Sequence, residues 1–262
     1  MAPPITAYIR TLNEARLIGA VVEAAIAVAD EVIVIDSGST DATRAIAEAA
    51  GARIIEQSWL GNGFQKRVGE DAARHDWLLD LDADEVVSDT LATSIRTLFE
   101  GPGPQESAYA LDLCMCPPGG PVWTDFFNVP RAKLYDRRRH RQPEHKAWDQ
   151  LPDLDPRRLT LVEGPLIHHA YRDFAHMVSK MNRVSSVRAN ETKPRPMWEI
   201  RLRIVAGLPV YFAKQYLMKG GWRGGFYGLC LSGILSLTRW LRDLKMYEAA
   251  TGRRADLQPP PR

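Results

Sequence analysis

Two acidic segments of this 262-residue sequence have the residue types needed to bind a nucleotide and a metal ion. The first reads Asp-Ser-Gly-Ser-Thr-Asp over 36–41, and the second reads Asp-Leu-Asp-Ala-Asp-Glu over 80–85. In an extended segment, carboxylates two residues apart point the same way, so Asp82 and Asp84 can approach one hard cation or its waters. Mg²⁺ or Mn²⁺, completed by substrate phosphates, is the cofactor that this pair indicates. Asp36 can accept hydrogen bonds from a base or from ribose hydroxyls, although the same segment also suits a tight turn and a helix cap.

Each acidic segment follows an apolar, strand-like run, and the surrounding sequence alternates such runs with helical patterns. The predicted strands are Ile5–Arg10, Glu31–Asp36, Arg53–Gln57, Trp77–Leu81 and Tyr109–Leu113. The predicted helices lie at 13–29, with Asn13 as the cap, from 41 to 50, at 65–73 and at 90–99. This alternation predicts an α/β fold with a Rossmann-like, mostly parallel sheet flanked by helices. Because ligands bind where parallel strands end, the two acidic segments are expected at the carboxyl edge of that sheet.

The second half of the sequence has a different pattern. Residues 117–165 are rich in Pro, Gly, Arg and Asp, which indicates loops laid over the sheet and no independent domain. Helical periodicity then returns, and it predicts a helical C-terminal extension with helices at 172–190, 198–217 and 226–250. The second of these helices is expected to break at Pro209. The tail at 251–262 is expected to be disordered.

Charge is divided unevenly along the chain. Residues 1–130 hold 8 Lys and Arg against 20 Asp and Glu, whereas residues 131–262 hold 26 against 12. An acidic half suits a cation, and a basic half suits anionic partners such as phosphate groups or membrane lipid. Three cysteines without a CxxC pair indicate a reduced, intracellular protein, and export by a cleaved signal is not expected. The longest stretch without charge, 224–238, is shorter than the roughly 20 apolar residues of a membrane span.

Three motifs follow one another in a specific order. They are Thr-Leu-Asn-Glu at 11–14, Val-Ile-Val-Ile-Asp-Ser-Gly-Ser-Thr-Asp at 32–41, and Trp-Leu-Leu-Asp-Leu-Asp-Ala-Asp-Glu at 77–85. This order and spacing resemble family 2 glycosyltransferases of the GT-A fold. The resemblance implies a UDP-sugar donor whose nucleotide lies on Thr11, Asn13, Glu14, Asp36 and Ser37. It makes Asp84 the direct metal ligand and turns Asp82 toward the ribose or a metal-bound water.

Further motifs resemble the small bacterial glycosyltransferases that add glucose to the inner core of lipopolysaccharide. They are Gly-Asn-Gly-Phe-Gln-Lys-Arg at 61–67, Leu-Ile-His at 166–168, Tyr-Arg at 171–172 and Lys-Met-Asn-Arg at 180–183. The Val-His-Glu of that subgroup, whose glutamate is its expected base, appears here as Ala-Trp-Asp at 147–149. The resemblance implies inverting transfer of a hexose, expected to be glucose, with Asp149 as the base that deprotonates the acceptor hydroxyl.

Four more residues receive roles on the same grounds. Glu144 and His145 are alternative bases on the loop of Asp149. Lys66 is expected at the nucleotide or its diphosphate, with a solvated helix face as the alternative. His168 is expected at the metal or the diphosphate, with a structural role at a strand end as the alternative.

The basic half is expected to serve the acceptor. Arg137, Arg138 and Arg139 could bind an acceptor phosphate, since an arginine fork suits bidentate contact, or they could form a solvated loop. Aromatic and basic residues of the C-terminal helices suit the interface of an anionic membrane, although packing over the sheet explains the same residues. We therefore expect a glycolipid acceptor, an anionic membrane partner, and a cytoplasmic, peripheral location on the inner face of the cytoplasmic membrane. Nucleic acid is not expected, because the arginines lack interleaved aromatics and a binding motif.

These expectations divide the chain into four segments. They are a nucleotide-sugar half at 1–115, acceptor-side loops and strands of the same domain at 116–170, the helical extension at 171–250 and the tail at 251–262. The acceptor could also be another cell-envelope polysaccharide or a polyprenyl phosphate. A phosphohydrolase of the haloacid-dehalogenase type would use Asp80 and Asp82, but that family expects Thr or Val where Asp84 stands. A non-catalytic membrane adaptor would leave both acidic segments without a role.

Overall fold

The computed structural model describes residues 2–252 and divides them into two compact units. The first unit contains residues 2–116 and 128–169, including a sheet of eight strands. The second unit contains residues 117–127 and 170–252 and is mainly helical. Apart from its first two residues, the tail that we predict to be disordered lies outside the described part of the chain.

The sheet of the first unit confirms the predicted α/β class. Its strands are β1 (Ile5–Thr11), β2 (Glu31–Asp36), β3 (Arg53–Glu56), β4 (Trp77–Asp82), β5 (Glu85–Val87), β6 (Ala108–Met115), β7 (Val129–Asp136) and β8 (Leu161–His168). They lie in the order β3-β2-β1-β4-β7-β6-β8-β5. The first four strands in this order are parallel, as are β6 and β8, and the remaining neighbours are antiparallel. All five predicted strands are present, and three more are added: β5 from the last residue of the second acidic segment, and β7 and the start of β8 where the composition indicates loops.

Four helices flank this sheet. They are α1 (Ile18–Ile26), α2 (Thr43–Ala49), α3 (Asn62–Ala72) and α4 (Asp89–Phe99). Because successive strand residues point to opposite faces, the central strands supply two separate cores. One core includes Ile9, Val34 and Leu79, and the other includes Tyr8, Ile33 and Leu78.

The first helix begins later than predicted, and Asn13 does not cap it. Asn13 has a φ of 54°, and its Oδ1 accepts a hydrogen bond from the Thr40 N–H at 2.8 Å. A turn follows, in which the N–H groups of Leu17 and Ile18 both donate to Glu14 O. The side chain of Asn13 is therefore used to join two loops.

The second unit consists mainly of three long helices. They are α5 (Phe174–Glu191), α6 (Met197–Ala213) and α7 (Gly225–Ala250), with a π-helical turn at 214–218 and a 3₁₀ turn at 221–224 before α7. The predicted break at Pro209 is wrong, because α6 continues through this residue to Ala213. Packing against α7 holds α6 in place, since the Trp240 Nε1–H donates to Ile204 O at 2.8 Å. Among residues 2–252, no helix is both long and apolar enough to cross a membrane.

Candidate active site

The predicted donor residues meet where β1, β2 and β4 end. Thr11 pairs in register with Asp36, and Arg10 pairs with Asp82 on the opposite side of β1. The strand order of the sheet changes direction at β1, because the chain places β2 on one side of β1 and β4 on the other. Open α/β sheets bind ligands in the crevice formed at such a point.

Asp36 forms one wall of this crevice. Its Oδ2 accepts hydrogen bonds from the N–H groups of Gly38 at 3.0 Å and Ser39 at 2.9 Å, so the side chain does stabilise a turn. Its Oδ1 is buried and has no hydrogen-bond partner within residues 2–252, and the same holds for Thr11 Oγ1. A buried acceptor without a partner costs free energy, so these two oxygens are suited to a ligand that donates.

The loops beside Asp36 are joined to one another. The N–H of Asn13 donates to Ser39 Oγ at 2.9 Å, and the N–H of Glu14 donates to Thr43 Oγ1 at 2.8 Å. Ser37 Oγ accepts from Gln65 Nε2 at 3.1 Å. The structure thus brings together Thr11, Asn13, Glu14, Asp36 and Ser37, which are five of the residues predicted at the nucleotide.

Arg10 links the second acidic segment to the loop of Asp149. Its Nε donates to Asp82 Oδ1 at 2.6 Å, and its Nη2 lies 2.6 Å from Asp149 Oδ2. Burial alone would raise the pKa of Asp82, but the positive charges of Arg10 and two lysines outweigh it and hold that pKa well below its usual range. Asp82 is therefore a carboxylate at neutral pH, and one guanidinium fixes it beside Asp149.

Lys66 is one of these lysines. Its Nζ lies 2.7 Å from Asp80 Oδ2, 3.9 Å from Asp149 Oδ2 and 4.0 Å from Asp82 Oδ1. Gln142 Nε2 donates to the same oxygen of Asp80 at 3.2 Å. Lys66 is only 3% exposed, which excludes the solvated helix face that its sequence position allowed.

Lys133 on β7 is the second lysine. Its Nζ lies 2.5 Å from Glu85 Oε2, which also accepts from the Asp82 N–H at 2.9 Å. Burial and the charge of Asp82 raise the pKa of Glu85, against the effect of Lys133. Burial lowers the pKa of Lys133, but Glu85 and the neighbouring aspartates raise it by more. Asp80, Asp82 and Glu85 of the acidic segment therefore belong to a largely buried network of ion pairs.

The loop at 142–149 packs directly on the start of α3. The Asn62 N–H donates to the carbonyl of residue 146 at 2.7 Å, and the Gly63 N–H donates to His145 O at 3.0 Å. A Cβ at Gly63 would lie 2.1 Å from Pro143 O, a distance that no side chain tolerates. Glycine at this position is thus required for the loop to bring Asp149 to the crevice.

The three candidate bases differ in their surroundings. The side chain of Glu144 is 70% exposed, with Oε1 3.8 Å from Arg67. His145 Nδ1 accepts from the N–H groups of Ala147 and Trp148, so this ring stabilises its own loop. Asp149 is the one of the three that contacts Arg10.

Asp84 and His168 form the pair best suited to a divalent cation. Pairing of β5 with β8 sets His168 opposite Glu85, and His168 Nε2 lies 3.5 Å from Asp84 Oδ2. The described part of the chain contains no group of three or more His, Cys, Asp or Glu side chains that could hold a metal ion. A pair of donors fits an Mg²⁺ or Mn²⁺ ion whose other ligands are substrate phosphates and water.

The predicted acceptor arginines lie at the opposite, amino edge of the sheet. They follow β7, which runs antiparallel to β4 and sets its last residue, Asp136, against Trp77 at the start of β4. Arg137 Nη1 donates to two carbonyls of the α3 segment, at 2.7 and 2.9 Å, and Arg138 Nη2 lies 2.6 Å from Asp136 Oδ2. The structure does not bring Arg137, Arg138 or Arg139 to the crevice, because the direction of β7 carries them away from it.

Sequence reasoning does not identify several members of the network. These are Arg10, Lys133 and Gln142, whereas Glu85 belongs to the second acidic segment but receives no separate role from it. Arg10 had a usable signal, because it is a lone cation in an apolar strand directly before the first motif. Lys133 and Gln142 lie in the segment without clear periodicity. The pairing of β7 places Lys133, and hydrogen bonds to Glu70 and Asp80 place Gln142.

Comparisons with known proteins identify the family of the chain. The sequence profile of Glycosyl transferase family 2 matches residues 6–158. An uncharacterized glycosyltransferase of Rickettsia felis is 29% identical over 94% of this chain and 90% of its own length. The lipopolysaccharide core biosynthesis glycosyltransferase LpsC of Rhizobium meliloti is 25% identical over 94% of this chain and 92% of its own length.

Solved structures give a shorter match. Glucosyl-3-phosphoglycerate synthase from Mycobacterium tuberculosis, in complex with Mg²⁺ and UDP, aligns with 45% of this chain and 44% of its own at 24% identity and a TM-score of 0.34. The family profile, by contrast, covers more than half of the chain and includes every strand from β1 to β7. The protein therefore belongs to glycosyl transferase family 2.

Proposed function

We propose that this glycosyltransferase moves a hexose, specifically glucose, from a UDP-sugar to a glycolipid acceptor of the lipopolysaccharide-core type. The transfer inverts the configuration at the anomeric carbon. The observation that carries the proposal is the Arg10 bridge, which holds the Asp149 carboxylate beside Asp82. An inverting transfer needs a base on the acceptor side of the donor site, and we assign this role to Asp149. The similarity to LpsC over nearly the whole chain supports the acceptor class.

The first wall of the crevice suits the nucleotide. Asp36 Oδ1 and Thr11 Oγ1 would be satisfied by donors on the uracil ring and the ribose. Asn13, Glu14 and Ser37 belong to the joined loops around them and would shape the pocket. Asp82 would face the ribose or a metal-bound water from the other wall.

The transfer would use this chain's own groups as follows. Asp84 and His168 would hold Mg²⁺ or Mn²⁺, which when bound offsets the charge of the departing diphosphate. Asp149 accepts the proton of the acceptor hydroxyl, whose oxygen forms a bond to the anomeric carbon as the bond from that carbon to the diphosphate breaks. Arg10 and Lys66 keep the Asp149 carboxylate directed into the crevice.

The proposal is tested with the purified full chain, UDP-glucose, Mn²⁺ and a lipopolysaccharide-core acceptor. We expect release of UDP that requires both metal and acceptor, a product heavier by one hexose, and an inverted anomeric configuration by NMR. Retained configuration, or no UDP release with any UDP-hexose, would contradict it. Transfer to a polyprenyl phosphate instead would leave the proposed donor site unchanged and replace the proposed acceptor class.

We further propose that the protein works in the cytoplasm, at the inner face of the cytoplasmic membrane.

A further inference from the structure

Helix α6 is apolar on the face that packs in the helical unit and also on the face that does not. On the packed side, the buried Tyr211 donates its hydroxyl proton to Asp243 Oδ2 at 2.6 Å. On the other side, Trp198, Leu202 and Val205 are 69%, 58% and 82% exposed, at the i, i+4, i+7 spacing of a single face. A row of exposed apolar side chains on one helix face, here with Arg201 beside it, suits contact with an apolar surface or with lipid.

The exposed apolar residues continue past the end of α6. Met218, Trp222 and Phe226 are all more than half exposed. We call Trp198, Leu202, Val205, Met218, Trp222 and Phe226 together the exposed apolar set. Isolated exposed apolar residues are ordinary, but so many large ones within 30 residues of chain indicate a contact surface.

The charges around this set are mainly positive, although Glu199 lies next to Trp198 and Asp125 pairs with Arg223. Residues 200–242 contain seven Lys and Arg and no Asp or Glu. Lys214 and Lys219 are exposed between Val205 and Trp222. Partial desolvation of its ammonium group and the neighbouring charges of Arg239 and Lys214 lower the pKa of Lys219, so its surroundings favour an added anion.

We propose that the exposed apolar set binds the surface of an anionic phospholipid bilayer. The apolar side chains would enter the boundary between headgroups and acyl chains, and the lysines would contact lipid phosphates. A second copy of the chain is a poorer occupant, because a two-fold contact would set the same cations against themselves. This inference rests on the proposed function only for the biological role of membrane binding, because a glycolipid acceptor would be reached at such a surface.

The test is sedimentation of the full chain with vesicles, measured without UDP-sugar. We expect binding to vesicles of phosphatidylcholine and phosphatidylglycerol in equal amounts, weakened by added salt, and little binding to phosphatidylcholine alone. Failure to bind the anionic vesicles would overturn the inference. The assay is independent of catalysis, so an inactive protein that binds vesicles would contradict only the proposed function.

Matched variants locate the contact. Val205→Asp is expected to weaken vesicle binding at least about tenfold, because it places a charge in the lipid-facing row. Val187→Asp on α5, also an exposed valine in a helix, is the control and is expected to bind as the wild type does. Replacing Lys214 or Lys219 by Gln is expected to weaken vesicle binding about fivefold for each lysine.

Two further measurements keep the outcome decisive. Circular dichroism melting shows whether Val205→Asp is folded, and Phe226→Ser serves as a second variant with the same expected loss. Equal binding of folded Val205→Asp and wild type would overturn the inference. So would light scattering that shows a wild-type dimer converted to a monomer by Val205→Asp, because the set would then be an interface between copies.

Discussion

Both edges of the sheet in the first unit carry arginine and carboxylate side chains, but the two edges use them differently. At the amino edge, Glu31 accepts from Thr6 Oγ1, from Arg53 and from the N–H of residue 74, and these bonds lower its pKa despite its burial. At the carboxyl edge, Arg10 joins two carboxylates, while Asp36 Oδ1 stays buried without a partner in the described chain.

The difference shows that residue type alone does not identify a site. At the amino edge the charged groups form ion pairs and hydrogen bonds with one another, so none of those described for Glu31 is left for a ligand. At the carboxyl edge the same residue types hold Asp82 beside Asp149, the proposed base, and leave buried acceptors for a ligand. Substitutions at the carboxyl edge should therefore reduce activity strongly, and substitutions at the amino edge should not.

The largest effect is expected at Asp149. Asp149→Asn keeps the shape of the side chain but removes the base, so transfer should fall by about 10³-fold while UDP affinity stays unchanged. UDP release and calorimetric UDP binding measure the two quantities separately. Glu144→Gln, on the same loop, should stay within about twofold of wild type. Equal loss of UDP binding in Asp149→Asn would demote Asp149 to a structural support.

A smaller loss is expected when the loop of Asp149 is displaced. Gly63→Ala sets a Cβ against Pro143 O, and a shift of the loop should lower transfer by about 10²-fold. Gly233→Ala is the control, since a Cβ at this helical glycine meets nothing within 4 Å. It should leave activity unchanged and raise stability slightly. Similar activity in both variants would show that the packing of the loop on α3 is not required.

Arg10→Lys should have an intermediate effect. A lysine keeps the charge but cannot reach both Asp82 and Asp149 as the guanidinium does, so transfer should fall about tenfold, the cost of roughly one charge-assisted hydrogen bond. The unfolding midpoint in urea should change less than in Arg10→Ala, which leaves both carboxylates without this cation. Full activity of Arg10→Lys would mean that charge alone matters there.

The smallest effect is expected at the amino edge. Arg139→Ala removes an exposed arginine that lies away from the crevice, and transfer should remain within about twofold of wild type. The same acceptor assay checks this. A large rise in the acceptor KM would show that the arginine run does bind the acceptor, as the sequence allowed.

The sequence predicts the strands that build the crevice because their apolar runs are unambiguous. Residues 31–36 form β2 with the predicted bounds, and β1 and β4 are each one residue longer than predicted. It also places Asp36, Asp82 and Asp84 at the correct edge, since they directly follow or end those strands. The partners of Asp82 could not be predicted from the sequence. Arg10 and Lys133 contact Asp82 only because their strands pair with β4, and no local pattern encodes that pairing.

The arginine run is a case in which the local sequence pattern predicts a role at the crevice but the tertiary structure places the residues elsewhere. Arg137–Arg139 suit a phosphate by composition, yet the antiparallel direction of β7 decides that they lie at the far edge. Pro209 is a comparable case, since local preference favours a helix break but packing of α6 on α7 maintains the helix. In each case tertiary pairing overrides the local signal.

In the proposed function, the carboxyl edge binds a uridine diphosphate together with a divalent cation held by Asp84. The most direct measurement is the thermal unfolding midpoint of wild type and Asp84→Asn with UDP, with Mn²⁺, and with both. Ligand at about a hundred times its dissociation constant stabilises by about 2.7 kcal/mol, which corresponds to a rise of roughly 5 to 10 °C. We expect that rise only in wild type with UDP and Mn²⁺ together. No rise in wild type, or the same rise in Asp84→Asn, would contradict the account.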